Sequence, residues 1–471
     1  MHLTARLSCI AAIALTLNVQ AENILVSQSS DGEQANDYTS FPSISDNGRF
    51  IAFISGADNL VPGDTNGKPD TFVHDRETRE TTRVSVASDG SEANDGVGWT
   101  ITSISGDGRY VVFSSGSDNL VSGDNNRTSD IFLHDRENGE TSRVNLAGNG
   151  AEANRGSLHP GIFGNGRYVT FESAADNLVA GDTNGISDVF LHDRETGLTR
   201  RVNLASDGSE AEDPQISHSW IWWYTNPVSD DGRYAAFTSW SGNLVPGDEN
   251  ALEDVFVHNL ETGETERVSL DVEGRPFENY SSLLLDMSDD GRFVAFLTLY
   301  RAGAPADEWK PGGLYIRDRE AEKTTLIPNG YGASFSNAGR YLAYAIFSVF
   351  TTSGELPDQE LRAGTHILDM QTNEALESVV SYQGTPADVP GGGGVISGDG
   401  KTLAFISNAT NLVPGDANSE SDVFVTDNPH FFRINAGLND PWYDPQTPGQ
   451  GFHVSVLPQQ QKMFVSWMTY D

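Results

Sequence analysis

Five copies of one acidic segment constrain this chain more than any other feature. "NLVPGDTNGKPD" at Asn59–Asp70 returns as "NLVSGDNNRTSD", "NLVAGDTNGISD", "NLVPGDENALED" and "NLVPGDANSESD". Self-similarity at a near-constant spacing marks a repeat architecture, in which each unit needs its neighbours to bury its apolar face. Seven turn signals run through the same region: "SDNGRF", "SGDGRY", "FGNGRY", "SDDGRY", "SDDGRF", "SNAGRY" and "SGDGKT". Their glycines stand at 48, 108, 166, 232, 291, 339 and 400, at intervals of 60, 58, 66, 59, 48 and 61 residues. Each is a glycine turn between apolar runs, which reads as a hairpin because glycine accepts positive φ.

The second copy shows the unit strand by strand. "TSIS" is a first strand, "YVVFSS" a second, "DIFLHD" a third after the acidic loop, and "TSRVNL" a fourth. Four antiparallel strands, repeated seven times without helical periodicity, predict an all-β, seven-bladed β-propeller. The ends fit a closed ring. The seventh copy stops after "SDVFVTD", and "ILVSQSSDGEQAND" near the start matches "RVSVASDGSEAND" of the first repeat. Ile24–Ser27 is therefore expected to pair with the Asp422–Thr426 region and remove the free sheet edges. Three segments are predicted: a secretory signal peptide over 1–21, the propeller over 22–427, and a C-terminal β-hairpin module over 428–471 ending within an apolar strand pattern.

"SDDGRYAAFTS" followed by "DVFVHN" resembles the TolB-type repeats of exported bacterial propellers, and the likeness runs from about Ile24 to Asp427. The resemblance implies the fold. It is not taken to imply TolB's envelope role, because TolB's N-terminal α/β domain has no counterpart in these residues. "FRINAGLNDPWYDPQTPGQGFHVSVLPQQQKMFVSWMTYD" resembles a C-terminal module of exported Gram-negative proteins.

The opening "MHLTARLSCIAAIALTLNVQA" has the positive charge, short apolar run and small-residue site of a signal peptide. It points to a periplasmic or extracellular protein of a Gram-negative bacterium. The apolar run is too short for a membrane span, so no membrane insertion is expected. The one cysteine, Cys9, lies within this segment, which leaves no disulfide or thiolate chemistry for the rest. With 67 acidic against 29 basic residues the formal charge is −38. Such a surface excludes nucleic acid and anionic lipid as expected partners and favours cations; adaptation to a salty habitat would leave the same mark.

Within the acidic loops the spacing is Asp-x-Asn-x-x-x-Asp. The sets are Asp64, Asn66, Asp70; Asp124, Asn126, Asp130; Asp182, Asn184, Asp188; Asp248, Asn250, Asp254; and Asp416, Asn418, Asp422. Calcium takes 6–8 hard oxygens, and the spacing resembles the calcium loops of integrin-type propellers shortened by two residues. Asp58, Asp118 and Asp176 are further oxygen donors just ahead of three loops. The other reading is that Asp and Asn form Asx-turns in a β-connection. Repeats five and six lack the motif, so a blade does not require it.

His74, His134, His192 and His258 share one repeat position, which reads as structural. "SHSWIWWYTN" is distinctive: His218, Trp220, Trp222, Trp223 and Tyr224 lie between blades three and four, on the acidic-loop face. They are a candidate platform for a glycan or protein partner, or else part of a blade core. No G-x-S-x-G elbow, H-E-x-x-H or phosphate loop occurs. The leading expectation is a non-catalytic binding scaffold holding a protein or glycan, with calcium as its only candidate cofactor. One alternative is a polysaccharide lyase with His159, His218 and His366 converging at the channel mouth. Another is a purely structural propeller.

Overall fold

A computed structural model describes residues 23–98, 101–212, 227–300, 311–346, 364–379, 387–389, 393–431, 440–443, 450–457 and 462–469. Seven antiparallel sheets follow one another along the chain. Blade one is Thr39–Ile44, Phe50–Ser55, Asp70–Asp75 and Glu80–Arg83 in that order across the sheet. Blades two, three, five and six repeat the arrangement. In blade four the sheet comprises Tyr234–Ser239, Asp254–Asn259 and Thr265–Arg267, with Val228 bridged to Ala235 on the inner side. Blade seven takes its fourth strand from the start of the chain: Ile24 pairs with Val425 and Leu25 with Phe424. The Val26 amide continues the ladder to the Val423 carbonyl at 2.8 Å. The ring is therefore closed as the displaced strand predicted.

Second and third strands are buried along almost their whole length, as in Phe50–Ser55 and Asp70–Asp75. Their two faces both meet neighbouring blades, so they need apolar residues on each side of the pleat. Fourth strands such as Glu80–Arg83 alternate exposed and buried residues because one side faces solvent. Each blade carries one stacked ring pair between its second and third strands: Phe53–Phe72, Phe113–Phe132, Phe171–Phe190, Phe237–Phe256, Phe296–Tyr315, Tyr344–His366 and Phe405–Phe424, with centroids 5.5–5.9 Å apart. Burial of such rings supplies the largest apolar term per residue.

The glycine turns do more than reverse the chain. A Cβ on Gly108 would run into the ring of Phe50 in the preceding blade, and one on Gly166 would run into Tyr110. Each turn glycine is thus a socket for the aromatic residue of the "GRF" or "GRY" motif one blade earlier. An arginine from the next blade closes the socket: Arg136 lies over Phe50 at 4.3 Å and Arg194 over Tyr110 at 4.0 Å. At the seam between blades seven and one the plug is only Thr402, against Gly48.

The propeller forms one unit, Glu22–Asn428, and Pro429–Asp471 belongs to another. There Gln450–Leu457 and Lys462–Thr469 form a hairpin, and Asp440–Tyr443 adds a third strand beside Gln450–Leu457.

Candidate functional site: the acidic-loop rim

Connections between second and third strands, and those from blade to blade, share one rim. The hydrogen bonds join them directly: Asn36 of the link into blade one donates to Asp58 at 2.6 Å, and Thr65 donates to Glu92 of the next link at 2.5 Å. The short glycine turns lie at the other end of the strands.

The acidic loops of blades one to four hold a cation already, and it is a side chain. Arg83 Nη1 lies 3.2 Å from Asp64, 3.2 Å from Asp70 and 2.7 Å from Glu92. Arg143 makes the same contacts with Asp124, Asp130 and Glu152 at 3.3, 3.2 and 2.7 Å. Arg201 does so with Asp182, Asp188 and Glu210 at 3.2, 3.1 and 2.5 Å. Arg267 meets Asp248 and Asp254 at 3.1 and 3.4 Å, and Pro276 stands where a glutamate would be third. Each arginine comes from the end of its blade's fourth strand, thirteen residues after the last aspartate of the loop. That spacing was visible in "TRVSV", "SRVNL", "RRVNL" and "ERVSL", but the loop alone drew attention.

The asparagines keep the loop's shape. Asn66 Oδ1 accepts the Lys68 amide at 2.8 Å, an Asx-turn, while its Nδ2 donates toward Asp70 and to the Ala93 carbonyl. Asn126, Asn184, Asn250 and Asn418 accept the amide two residues on in the same way. The residue after each asparagine has positive φ, between 54° and 69°. The asparagine oxygen is therefore spent on the backbone and its nitrogen faces the carboxylate. The last aspartate is also satisfied: Ser85 donates to Asp70 at 2.5 Å and Asn145 to Asp130 at 2.6 Å.

Burial of the carboxylates raises their affinity for a proton. Asp64, Asp182 and Asp248 are pushed up to about 6, first by desolvation and then by the neighbouring aspartate, against the pull of the arginine. Glu92 goes the other way, down to about 2, because Thr65 and Arg83 bind its charged form.

Blade seven solves the same loop differently. Leu25 stands at the arginine position and Gln34 at the glutamate position. Gln34 Nε2 donates to Asp416 at 2.9 Å and to Asp422 at 2.7 Å, and Ser27 donates to Asp422 at 2.6 Å. One neutral amide replaces an arginine–glutamate pair, so the loop of blade seven keeps the net charge of those in blades one to three.

The repeated histidines tie blades together. His74, His134, His192 and His258 lie 2.8–3.0 Å from Thr81, Thr141, Thr199 and Thr265 through Nδ1. The threonines donate in turn to carbonyls of the preceding unit, Gln28, Val86, Leu146 and Leu204. Each hydroxyl therefore accepts from Nδ1–H. Desolvation lowers His74 and His134 to about 4, which keeps the rings neutral.

Two of the three lyase candidates sit on strands of different blades. His159 sits on the first strand of blade three, at φ 52°, with Nδ1 3.3 Å from Glu172. His366 sits on the third strand of blade six, stacked on Tyr344 in the core position that other blades give to phenylalanine or tyrosine. His218, Trp220, Trp222, Trp223 and Tyr224 lie outside the described residues.

No protein-family model and no curated protein matches the chain. Several solved structures are similar to it at low identity. The β-propeller domain of the Trilobed protease from Pyrococcus furiosus is 13% identical with a TM-score of 0.47, over 83% of this chain and 95% of that one. A putative TolB from Agrobacterium tumefaciens is 13% identical with a TM-score of 0.34, over 83% and 91%. An acylaminoacyl peptidase from Pyrococcus horikoshii is 14% identical with a TM-score of 0.43, and this chain spans 49% of its length. The strand pairing shows that the chain is a seven-bladed β-propeller.

Proposed function

We propose that the protein is an exported, non-catalytic binding scaffold that holds a protein or glycan on the acidic-loop rim. One observation carries this reading. The sequence segments that depart from the repeat fall between strands whose flanking ends lie on this one rim, in blades three to seven. Residues 213–226 link blades three and four, 301–310 and 347–363 link second to third strands in blades five and six, and 380–392 links blades six and seven. A rim that is uniform and internally locked on one side, and variable on the adjoining side, suits a rigid frame presenting one specific face.

Within that face, His218, Trp220, Trp222, Trp223 and Tyr224 are the proposed contacts. Intrinsic tryptophan fluorescence titrated against a panel of glycans should change on binding, and Trp220→Ala with Trp223→Ala should abolish the response. Unaltered binding by the double variant would remove the platform. Release of unsaturated product from an acidic polysaccharide would replace the scaffold by the lyase reading.

Calcium enters this proposal at one loop. In blades one to four a guanidinium lies about 3 Å from both aspartates, in the space a cation would take. Asp416 and Asp422 have no arginine, and Gln34 can turn aside. Calcium should raise the melting temperature, since a ligand bound only to the native state stabilises it. Asp416→Asn should erase that rise. A rise that survives in Asp416→Asn, or no rise at all, would end the calcium proposal for this loop.

A further inference from the structure

The opposite end of the ring holds a second group of carboxylates, of which Asp46, Asp230, Asp286 and Asp289 have no salt bridge among the described residues. The second residue of each glycine turn is, in blade order, Asp46, Gly106, Gly164, Asp230, Asp289, Asn337 and Gly398. Backbone bonds knit these turns into a belt. The Asp46 amide donates to Gly106 O at 2.8 Å, Asp230 to Asp289 O at 2.9 Å, Asp289 to Asn337 O at 3.0 Å and Asn337 to Gly398 O at 3.1 Å. The three glycines make room for the larger residues. A Cβ on Gly398 would overlap both Asn337 and Asp46, and one on Gly106 would overlap Asp46. Asp46 and Asn337 meet above Gly398, across the width of blade seven.

Several of these carboxylates also staple blades. Asp230 accepts the Gly164 amide of blade three at 2.9 Å. Asp286, from the first strand of blade five, accepts the Phe335 amide of blade six at 2.7 Å and its neighbour Met287 at 2.8 Å. In blade two the equivalent acceptor, of the Ile162 amide, is a neutral hydroxyl, Ser103.

The surrounding charges make the cluster worse rather than better. Asp46 is acted on by Asp230, Asp107 and Asp399; Asp289 is acted on by Asp230, Asp286, Asp46 and Asp290. The arginines of the same turns turn outward instead: Arg49, Arg109, Arg167 and Arg292 bind Asp75, Asp135, Asp193 and Asp318. Lys401, the turn residue of blade seven, is engaged by Asp399 at 2.7 Å. Burial and mutual repulsion push Asp289 up to about 8, and burial pushes Asp286 up to about 7.

We propose that this axial belt is a proton-dependent clasp: Asp46, Asp230, Asp286 and Asp289 are crowded onto one end of the ring, and their mutual repulsion once ionised loosens the blade contacts of the glycine-turn end. The sign follows from linkage. A carboxyl whose proton affinity is higher in the folded chain stabilises fully below the unfolded value near 4, and that contribution is lost as pH rises through its folded value. The histidines of the repeat stay neutral over this range. His159, raised by Glu172, is common to wild type and variants and cancels in their comparison.

Thermal unfolding is measured from pH 6 to pH 9, with EDTA and separately with calcium. The wild-type melting temperature should fall with rising pH. Asp289→Asn should flatten the fall and melt about 2–5 °C above wild type at pH 8.5, with Asp46→Asn as a second variant acting in the same direction. Unfolding the wild type at pH 7 should also release more protons to an indicator dye than unfolding Asp289→Asn. Variants that follow the wild-type slope, or equal proton release, would overturn the clasp. A pH response present with calcium and absent with EDTA would overturn it too, by assigning the cluster to a metal.

Discussion

Blade one and blade seven carry the same loop and neutralise it by opposite means. Blade one brings in a charge, with Arg83 facing Asp64, Asp70 and Glu92. Blade seven removes charges, with Leu25 and Gln34 in place of arginine and glutamate. Both leave a hydrogen-bond donor between the two aspartates of the loop. The difference teaches that the loop requires a donor there and not a particular charge. The two replacements go together because a buried ion is costly once its partner is gone.

The largest effect should come from breaking the pair on one side only. Arg83→Leu strands three carboxylates and should cost about 3–5 kcal/mol, read by denaturant unfolding. Adding Glu92→Gln recreates the blade-seven arrangement and should recover more than half of the loss, a coupling of about 1–3 kcal/mol in the double-mutant cycle. Simple additivity of the two substitutions would show that the blades are not alternative solutions. The reverse change, Gln34→Glu, puts a third carboxylate beside Asp416 and Asp422 without a cation. It should cost about 1–3 kcal/mol, and calcium should restore part of it.

Acid should separate two kinds of aspartate. Asp75 and Asp193 are held down to about 2, first by hydrogen bonds from Arg49 and Arg167. Their contribution is present above the ordinary carboxyl range and is lost as pH falls through 2. Asp64, Asp182 and Asp248, raised to about 6, contribute most below the ordinary range and lose that contribution as pH rises through 6. Carboxyl resonances followed by NMR should show the two sets titrating in opposite directions from the usual value. The smallest effect is expected at Asp58, which is exposed and bonded to Asn36; Asp58→Ala should change stability by less than about 0.5 kcal/mol.

Architecture was legible because it is written in periodic features. Glycine turns, alternating strands and a displaced first strand each leave a local mark, and Ile24 paired as its resemblance to the first repeat required. The rim chemistry was half legible. Asp64, Asn66 and Asp70 drew attention as oxygen donors, but Arg83 is thirteen residues downstream and reaches them only because the fourth strand runs back beside the third. An antiparallel register carries that information, and a linear spacing rule for metal loops does not. The place of His366 in a blade was hidden for a related reason. As a unique histidine it looked chemical, yet its strand register puts it where other blades stack a ring. The axial belt was read only as a series of turns, because its seven members come together through ring closure alone.

Every joint between blades has a direction, since a side chain from one blade, aromatic at six of the seven joints, enters the glycine socket of the next. Thr402 against Gly48 is the thinnest plug of the series, and Arg76 there reaches only Gly48 and Thr402 where its counterparts cover a ring. Under mechanical load the circle should part at that seam first, next to the two-residue strand that fastens it. A force-spectroscopy trace on the chain held at its ends should then begin with release of the terminal strand, and Thr402→Phe should raise the force of that first event.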